Sequence, residues 1–421
     1  VVVTRSLAGA TLPALTYRVQ GQIVADAYAR GAISDSQLDY LILPALQANA
    51  RRRGYLMAAD VGVGKALPLD APVLTPTGFR AMVDLAVGDL VIGVDGSPTP
   101  ILGVYPQGER QMFRITFSDG ASVECDEEHL WFTSNVHERD ARCPRRTRGR
   151  VRTTAEIART LVVAREYNHA VPRVLPVKFP AVAVEVDPYI LGVLLGDGCL
   201  RNSSATLTSA DSWIIDAVSA RLPDGLVVRR HRGRLLEHGI VAVTGRLSDR
   251  RNTRNGVIAG LRRLGLLGKR SWEKRVPHSY LVNDASVRLD VLRGLMDTDG
   301  TIACGKVSPV FSTTSLGLAH DVQFLAWSLG GTASLAATPP GQPRMFRGRV
   351  IASKRLLYRV TLSMPDDINP FAMPRKAQRV RPAWTPLRKI VAVEPSRIAP
   401  AQCITIANAD GLFVINDFVV T

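Results

Sequence analysis

The strongest constraint on how this chain folds is a short segment that occurs twice, 188-PYILGVLLGDG-198 and 290-DVLRGLMDTDG-300. Both copies have the apolar spacing of a helix. Gly192 and Gly196 fall one turn apart on one face of the first, and Gly294 and Thr298 do the same in the second. Small residues at that spacing let two helix backbones approach closely. Each copy ends Asp-Gly, and Gly198 and Gly300 are expected to adopt the left-handed conformation that closes a helix. Packed on each other, the helices bring Asp197 and Asp299 together at their shared ends. Two carboxylates that close repel unless a cation lies between them, and oxygen-only ligation suits Mg²⁺. One Asp-Gly after an apolar helix is an ordinary helix stop; two copies a domain's length apart ask for another reason.

Charge points the same way. The chain has 421 residues and a formal net charge of +16. That length allows about two or three domains. The positive balance points to a polyanionic partner, most simply nucleic acid. A paired-carboxylate Mg²⁺ site on a basic surface suggests phosphodiester cleavage. The five cysteines, Cys125, Cys143, Cys199, Cys304 and Cys403, are scattered and odd in number. No disulfide framework is implied, and a reducing cytoplasm is expected. The sequence has neither a signal peptide nor an apolar run long enough to span a membrane. It begins at Val1 rather than Met, which suggests a fragment of a longer product.

Along the chain, residues 1–65 read as a helical lead-in, with 20-QGQIVADAYARG-31 and 34-SDSQLDYLILPAL-46 at helical spacing. A short strand, 54-GYLMAA-59, then runs into a loop where Gly62, Gly64 and Lys65 stand as in a phosphate-binding loop. Such a loop ends Gly-Lys-Ser/Thr, because the hydroxyl holds Mg²⁺. Here Ala66 follows, and then Leu67-Pro68. Beyond it, 72-PVLT-75, 90-LVIGV-94, 111-QMFRITFSDG-120 and 122-SVEC-125 form an all-β pattern that cannot continue a nucleotide-binding βαβ unit. Six arginines between positions 142 and 152 predict an exposed basic segment. Residues 183–335 alternate helices with β-like runs. Short strands return after 385, at 389-KIVAVEP-395, 402-QCITIA-407 and 412-LFVIN-416. An all-β unit is thus split by an α/β insertion, and the whole interrupts a nucleotide-binding loop.

The segments LGVLLGDG and LRGLMDTDG resemble the two signature helices of LAGLIDADG homing endonucleases. The likeness covers roughly residues 187–335, and 269-KRSWEKRVPHSYL-281 is similar to the stretch before the second helix. It implies a monomeric domain with pseudo-two-fold symmetry, whose saddle-shaped sheets lie in the major groove of double-stranded DNA. It also implies Asp197 and Asp299 as ligands of Mg²⁺ and Lys274 as a helper. Arg229, Arg230, Arg232, Arg234, Arg250, Arg251, Arg254, Arg262 and Arg263 are candidates for phosphate and base contacts.

The flanking β segments resemble the Hint fold of intein splicing domains. The start matches 66-ALPLDAPVLTPTGF-79, the histidine block 120-GASVECDEEHLWFT-133, and the C-terminal blocks 402-QCITIANADGLFVINDFVVT-421. The fold expected is therefore multidomain, an all-β Hint unit split by an α/β LAGLIDADG domain and preceded by a host fragment. Its divisions are residues 1–65, 66–180, 181–384 and 385–421. The stretch 56-LMAADVGVGK-65 resembles the first motif of superfamily 2 helicases, so the helicase would be cut after Lys65. The endonuclease target would be the host gene's own intein-free site.

Most inteins begin with Cys or Ser, and Ala66 has no nucleophile. Trp131, Cys403 and Thr421 resemble the Trp-Cys-Thr signature of class 3 inteins. That class implies attack by the Cys403 thiolate on the Lys65 carbonyl, with His129 protonating the departing Ala66 nitrogen. A branched thioester on Cys403 would follow. Asp126 stands where many inteins have Thr, and the resemblance puts a His-Asn pair directly after Thr421. Two alternatives remain open. One is an ordinary intein trapped by an engineered Cys→Ala at position 66. The other is a P-loop helicase or ATPase fragment whose insert binds DNA without cutting it. Against the second, Lys65 lacks its Ser/Thr and no downstream acidic ATPase motif is evident.

Overall fold

A computed structural model of the chain describes residues 66–139, 149–201, 205–243, 255–302, 308–340, 344–346, 349–351, 354–381 and 387–421. The expected lead-in helices and strand, Gly62, Gly64 and Lys65, Arg250, Arg251 and Arg254, and Cys143 and Cys304 lie outside the described residues.

Strands β1 (Leu67–Pro68), β2 (Pro72–Thr75), β3 (Pro98–Phe117), β4 (Ser122–Asp126) and β5 (Leu130–Thr133) precede the insertion. Strands β6 (Arg388–Ile406), β7 (Val414–Ile415) and β8 (Val419–Val420) follow it. In one sheet β6 lies between β1 and β3, and β4 joins on β3; β8, β7 and β2 run side by side in another. Segments far apart in sequence thus form one β unit. Pro and Gly within 98–110 and 395–400 predict chain breaks, yet β3 and β6 are each continuous. The two strands absorb these residues as bulges, with register shifts between Pro395 and Ile398 and between Ala401 and Gln402. The expected short strands 111–120, 389–395 and 402–407 are corrected accordingly. The chain leaves this unit just after Val171 and returns at Arg388, and the two residues are paired across antiparallel strands.

The exposed basic segment expected at 142–152 is also corrected at its end. Residues 150–153 form a strand against β5. Arg152 is buried there and donates to Thr133 O at 2.7 Å and to Glu138 Oε1 at 2.8 Å. A guanidinium with two such acceptors is held in the fold rather than offered to a ligand.

The insertion is built on helices α1 (Pro188–Gly196) and α2 (Ala285–Asp299). Asp187 caps α1 by accepting the Ile190 N–H at 3.0 Å, with Pro188 preset for the first turn. Asp284 caps α2 through the Ser286 N–H at 2.8 Å. Helix α1 is buried from Tyr189 to Leu195, as a helix apolar on all sides must be. A four-stranded sheet follows each helix. The first has the order 198–199, 206–208, 237–242, 226–230, and the second 300–301, 310–313, 357–363, 332–338. In both, the last strand in sequence slips between the second and third, so the short sequence repeat belongs to a repeated topology.

Gly198 and Gly300 do not adopt the expected left-handed conformation. Gly300 is extended, at φ −84° and ψ 144°, and both glycines begin strands. They are glycine because of crowding: a Cβ would fall 2.6 Å from Leu194 Cα at Gly198 and 2.7 Å from Met296 Cα at Gly300. The α/β core also takes in Leu74, Ile92, Val414, Phe418 and Val420 from the β unit, so the two parts share apolar packing. Among the described residues no helix is long and apolar enough to cross a membrane.

Candidate functional site

Two sites emerge. The first lies where α1 and α2 meet. A Cβ on Gly192 would stand 3.0 Å from Gly294 Cα, and one on Gly294 would stand 2.9 Å from Gly192 Cα. Backbone therefore packs on backbone. Thr298 takes the small-residue place opposite Gly196 and donates its hydroxyl to Gly294 O at 3.0 Å. Asp197 and Asp299 end the two helices together, as the sequence requires. Burial raises the Asp197 carboxyl above its ordinary range, against the pull of Lys274 and Lys376. Burial, then the Asp197 charge, pushes Asp299 up to about 6.

Two lysines seal the helix ends. Lys274 Nζ donates to Leu194 O at 3.2 Å, Gly196 O at 3.0 Å and Gly198 O at 2.7 Å. Lys376 Nζ donates to Met296 O at 3.1 Å, Asp297 O at 2.6 Å and Gly300 O at 2.7 Å. Each ammonium thus satisfies the orphan carbonyls of one helix C-terminus, where the dipole favours a cation. Burial pulls Lys274 down to about 8 and lowers Lys376 as well. Sequence reasoning found Lys274 and missed Lys376. The signal was present, because the offset that carries Asp197 onto Asp299 also carries Lys274 onto Lys376. Asp197 and Asp299 offer two half-buried carboxylates to a metal. Among the described residues no cluster of three or more His, Cys, Asp or Glu exists, so water and substrate oxygens would complete the shell. That donor set fits Mg²⁺, which keeps several waters.

Of the arginines proposed for DNA, Arg229 and Arg230 end an exposed sheet strand and Arg232 and Arg234 lie in the turn after it, with Arg234 paired to Glu237 at 2.6 Å. Arg262 and Arg263 sit instead in the last turn of helix Gly256–Arg263, and Arg263 pairs with Glu185. The structure does not bring those two onto the sheet.

The second site lies in the β unit. Antiparallel pairing sets Leu67 opposite Gln402 and Pro68 opposite Ala401. One step further, the register puts Ala66 opposite Cys403. Both are buried in one small cluster with Met112, Ala399 and Ala401. Alternation along β6 puts Ala399, Ala401 and Cys403 on one face, the face of that cluster. On the other side of Ala66, the Asp126 N–H donates to Ala66 O at 3.3 Å. Trp131, His129 and Thr421 also converge. His129 Nε2 is hydrogen-bonded to Thr421 Oγ1, and the His129 and Trp131 rings meet edge-on, with centroids 4.9 Å apart. Trp131 Nε1 donates to Thr154 Oγ1 at 3.1 Å, a residue the sequence did not single out. Thr421 is fixed by paired backbone bonds to Phe413, at 2.8 and 2.9 Å. Burial pushes the nearby Cys125 thiol up to about 12, which keeps it protonated at neutral pH.

Comparison with known proteins adds identity to this geometry. A family profile described as a LAGLIDADG-like domain matches residues 286–362. The replicative DNA helicase DnaB of Mycobacterium intracellulare is 33% identical over 379 residues, covering 85% of this chain and 58% of that protein. DnaB of Mycobacterium leprae is 37% identical over 166 residues, covering 36% of this chain and 26% of its own. The crystal structure of the MchDnaB-1 intein is 30% identical over 25% of this chain and 65% of its own, with a TM-score of 0.19. The chain spans little more than half the length of the first of these helicases. Residues 56–65 read as similar to the first motif of superfamily 2 helicases; the helicases this chain is similar to are named replicative DnaB helicases. With the profile falling on α2 and the sheet after it, and the β unit closing around the insertion, the chain is similar to inteins that carry a LAGLIDADG homing-endonuclease domain within a DnaB-type helicase sequence.

Proposed function

We propose that the chain splices itself out of its host by the class 3 route. Its halves are residues 66–180 and 385–421, and residues 181–384 form a monomeric, pseudo-two-fold endonuclease that cuts double-stranded DNA at the intein-free host site. The observation that carries the splicing half is the register that sets Ala66 against Cys403. It supports a direct first step. The Cys403 sulfur bonds to the Lys65 carbonyl carbon, the Lys65–Ala66 C–N bond breaks, and residues 1–65 become a thioester on Cys403. The proton lost by sulfur is the proton the Ala66 amine gains, so the step needs no outside reagent. His129 is hydrogen-bonded to Thr421 and in edge-on ring contact with Trp131, which supports a joint role at the C-terminal end.

For the endonuclease half, Asp197 and Asp299 would hold Mg²⁺, which when bound polarises a scissile phosphate and stabilises its leaving oxygen. Lys274 and Lys376 hold the carboxylate-bearing helix ends in place and offset carboxylate charge. The exposed arginines of the sheet strand and its turn supply phosphate contacts.

Hydroxylamine cleaves thioesters, so intact mass of the treated chain tests the splicing reading. The parent chain should yield the 1–65 and 66–421 fragments. Cys403→Ala should stay whole. Were Cys403→Ala to cleave like the parent, or were Ala66→Cys alone to restore cleavage to an inert parent, the class 3 reading would be wrong.

A further inference from the structure

Resting on that reading, we propose that Asp126 carries a proton in the first step, taking it from Cys403 and returning it to the Ala66 nitrogen. The argument is one of faces. Side chains alternate along β4, so Val123 and Cys125 enter the main core of the β unit while Asp126 points to the other side. Its directly opposed partner is Met112, and cross-strand partners share a face. Met112 belongs to the cluster that holds Ala66 and Cys403. Asp126 therefore lies on the face of the scissile junction. The two sides of Ala66 are thus taken by Cys403 on β6 and Asp126 on β4.

Three further observations fit a working carboxyl. Asp126 is 4% exposed, and its Oδ1 has no hydrogen-bond partner among the described residues. A buried acceptor left open is costly in a purely structural residue and has reason to persist where a proton must be received. The Asp126 N–H already holds Ala66 O, which steadies the leaving residue while the carboxyl acts on its nitrogen.

The step balances within the chain. Asp126 carboxylate takes the Sγ proton as sulfur bonds to the Lys65 carbonyl carbon. The tetrahedral centre collapses with loss of the Ala66 nitrogen, and the Asp126 carboxylic acid protonates that nitrogen. The carboxylate is regenerated and the thioester is left. Burial pushes Asp126 up to about 6, with Arg110 drawing it down and Glu128 and Glu127 raising it. A base poised there is ionised at neutral pH yet acidic enough to give the proton back. Arg110 on β3, Glu127 and Glu128 in the turn, Cys403 on β6 and His129 are the groups that bear on its titration.

The test uses the whole chain with hydroxylamine, reading the rate of cleavage at Lys65–Ala66 against pH. In the parent the rate should fall as pH drops through about 6. Asp126→Asn should slow cleavage at least about a hundredfold and abolish that break in the profile. Asp126→Thr, a good strand former, should lose as much, which guards against a folding artefact of the amide. If Cys403→Ala is inert but Asp126→Asn cleaves within about threefold of the parent, or keeps the break near pH 6, the proton-carrier role falls and the Cys403 reading survives. If Cys403→Ala cleaves, both fall.

Discussion

Asp119 offers a sharp test of how firmly the insertion is joined to the β unit. It follows β3, and its Oδ2 accepts from Arg388 Nε at 2.9 Å and from Trp327 Nε1 at 3.2 Å. Arg388 Nη2 adds an ion-pair contact at 2.7 Å, and the two side chains are only 3% and 7% exposed. The guanidinium also lies over the Trp327 ring, 5.5 Å from its centroid. Trp327 belongs to helix Leu316–Ser328 of the insertion, so one carboxylate ties both parts. Asp119→Ala strands a buried guanidinium, and breaking a buried pair that way costs about 3–5 kcal/mol. Asp417 faces the same guanidinium and compensates in part, which puts the expected loss near the lower bound, about 3 kcal/mol. Trp327→Phe removes one hydrogen bond and leaves the ion pair intact, so it should cost about 1 kcal/mol. The assay is urea unfolding of the Cys403→Ala chain by circular dichroism, compared at constant m-value. Adding Arg388→Met to Asp119→Ala should recover most of the loss, because no charge is then buried alone. The reasoning is refuted if Asp119→Ala costs less than about 1 kcal/mol, or if the second substitution deepens the loss instead of relieving it.

Two further outcomes follow from the helix pair. A Cβ at Gly294 would sit 2.8 Å from Val193 N, so Gly294→Ala must part the helices at a cost of about 1–3 kcal/mol. It should abolish Mg²⁺-dependent nicking of plasmid carrying the intein-free site while cleavage at Lys65–Ala66 persists, and equal loss of both would count against the assignment. The raised Asp299 carboxyl binds its proton more tightly when folded than when unfolded. Its stabilisation is therefore present below about pH 4 and lost as pH rises through about 6. Asp299→Asn should flatten the melting temperature across that window and remove most of the Mg²⁺-induced shift at neutral pH. An unchanged slope would place the raised carboxyl elsewhere.

The repeat was the most legible feature of the sequence, because helix crossing at glycine and a carboxylate at each helix end are local patterns with a single steric reason. The reading went astray over what followed each helix. Asp-Gly reads as a left-handed cap, but Gly198 and Gly300 are extended and serve to let the strand start press on the helix it has just left. Lys376 was missed because one helper lysine was sought by likeness to a family stretch rather than by applying the repeat offset. In the β unit, Pro and Gly were read as breaks when a long two-stranded ribbon absorbs them as bulges. Arg152 looked like part of a solvated basic run because composition cannot show that Thr133 and Glu138 wait for it. Pairing such as Val171 with Arg388 lies beyond any local pattern, since the partners are brought together only by closure of the whole unit.

That closure bears on how an inserted domain and its host unit can coexist. With the insertion's ends paired, the β unit pays little strain for the intervening chain, whatever its length. An insertion so placed could have remained a loosely tethered passenger. Here it has not. Phe418, which lies between β7 and β8, packs edge-on against Phe324 of the insertion with centroids 4.9 Å apart. The next residues lead to Thr421, the hydroxyl bonded to His129. The insertion therefore buttresses the strand that leads to Thr421, while Ala66 and Cys403 sit in a separate cluster of the β unit, with Asp126 paired to its Met112. A domain that decays or shifts should disturb the C-terminal half of the reaction before the N-terminal half, because the insertion packs directly beside the strand that leads to Thr421.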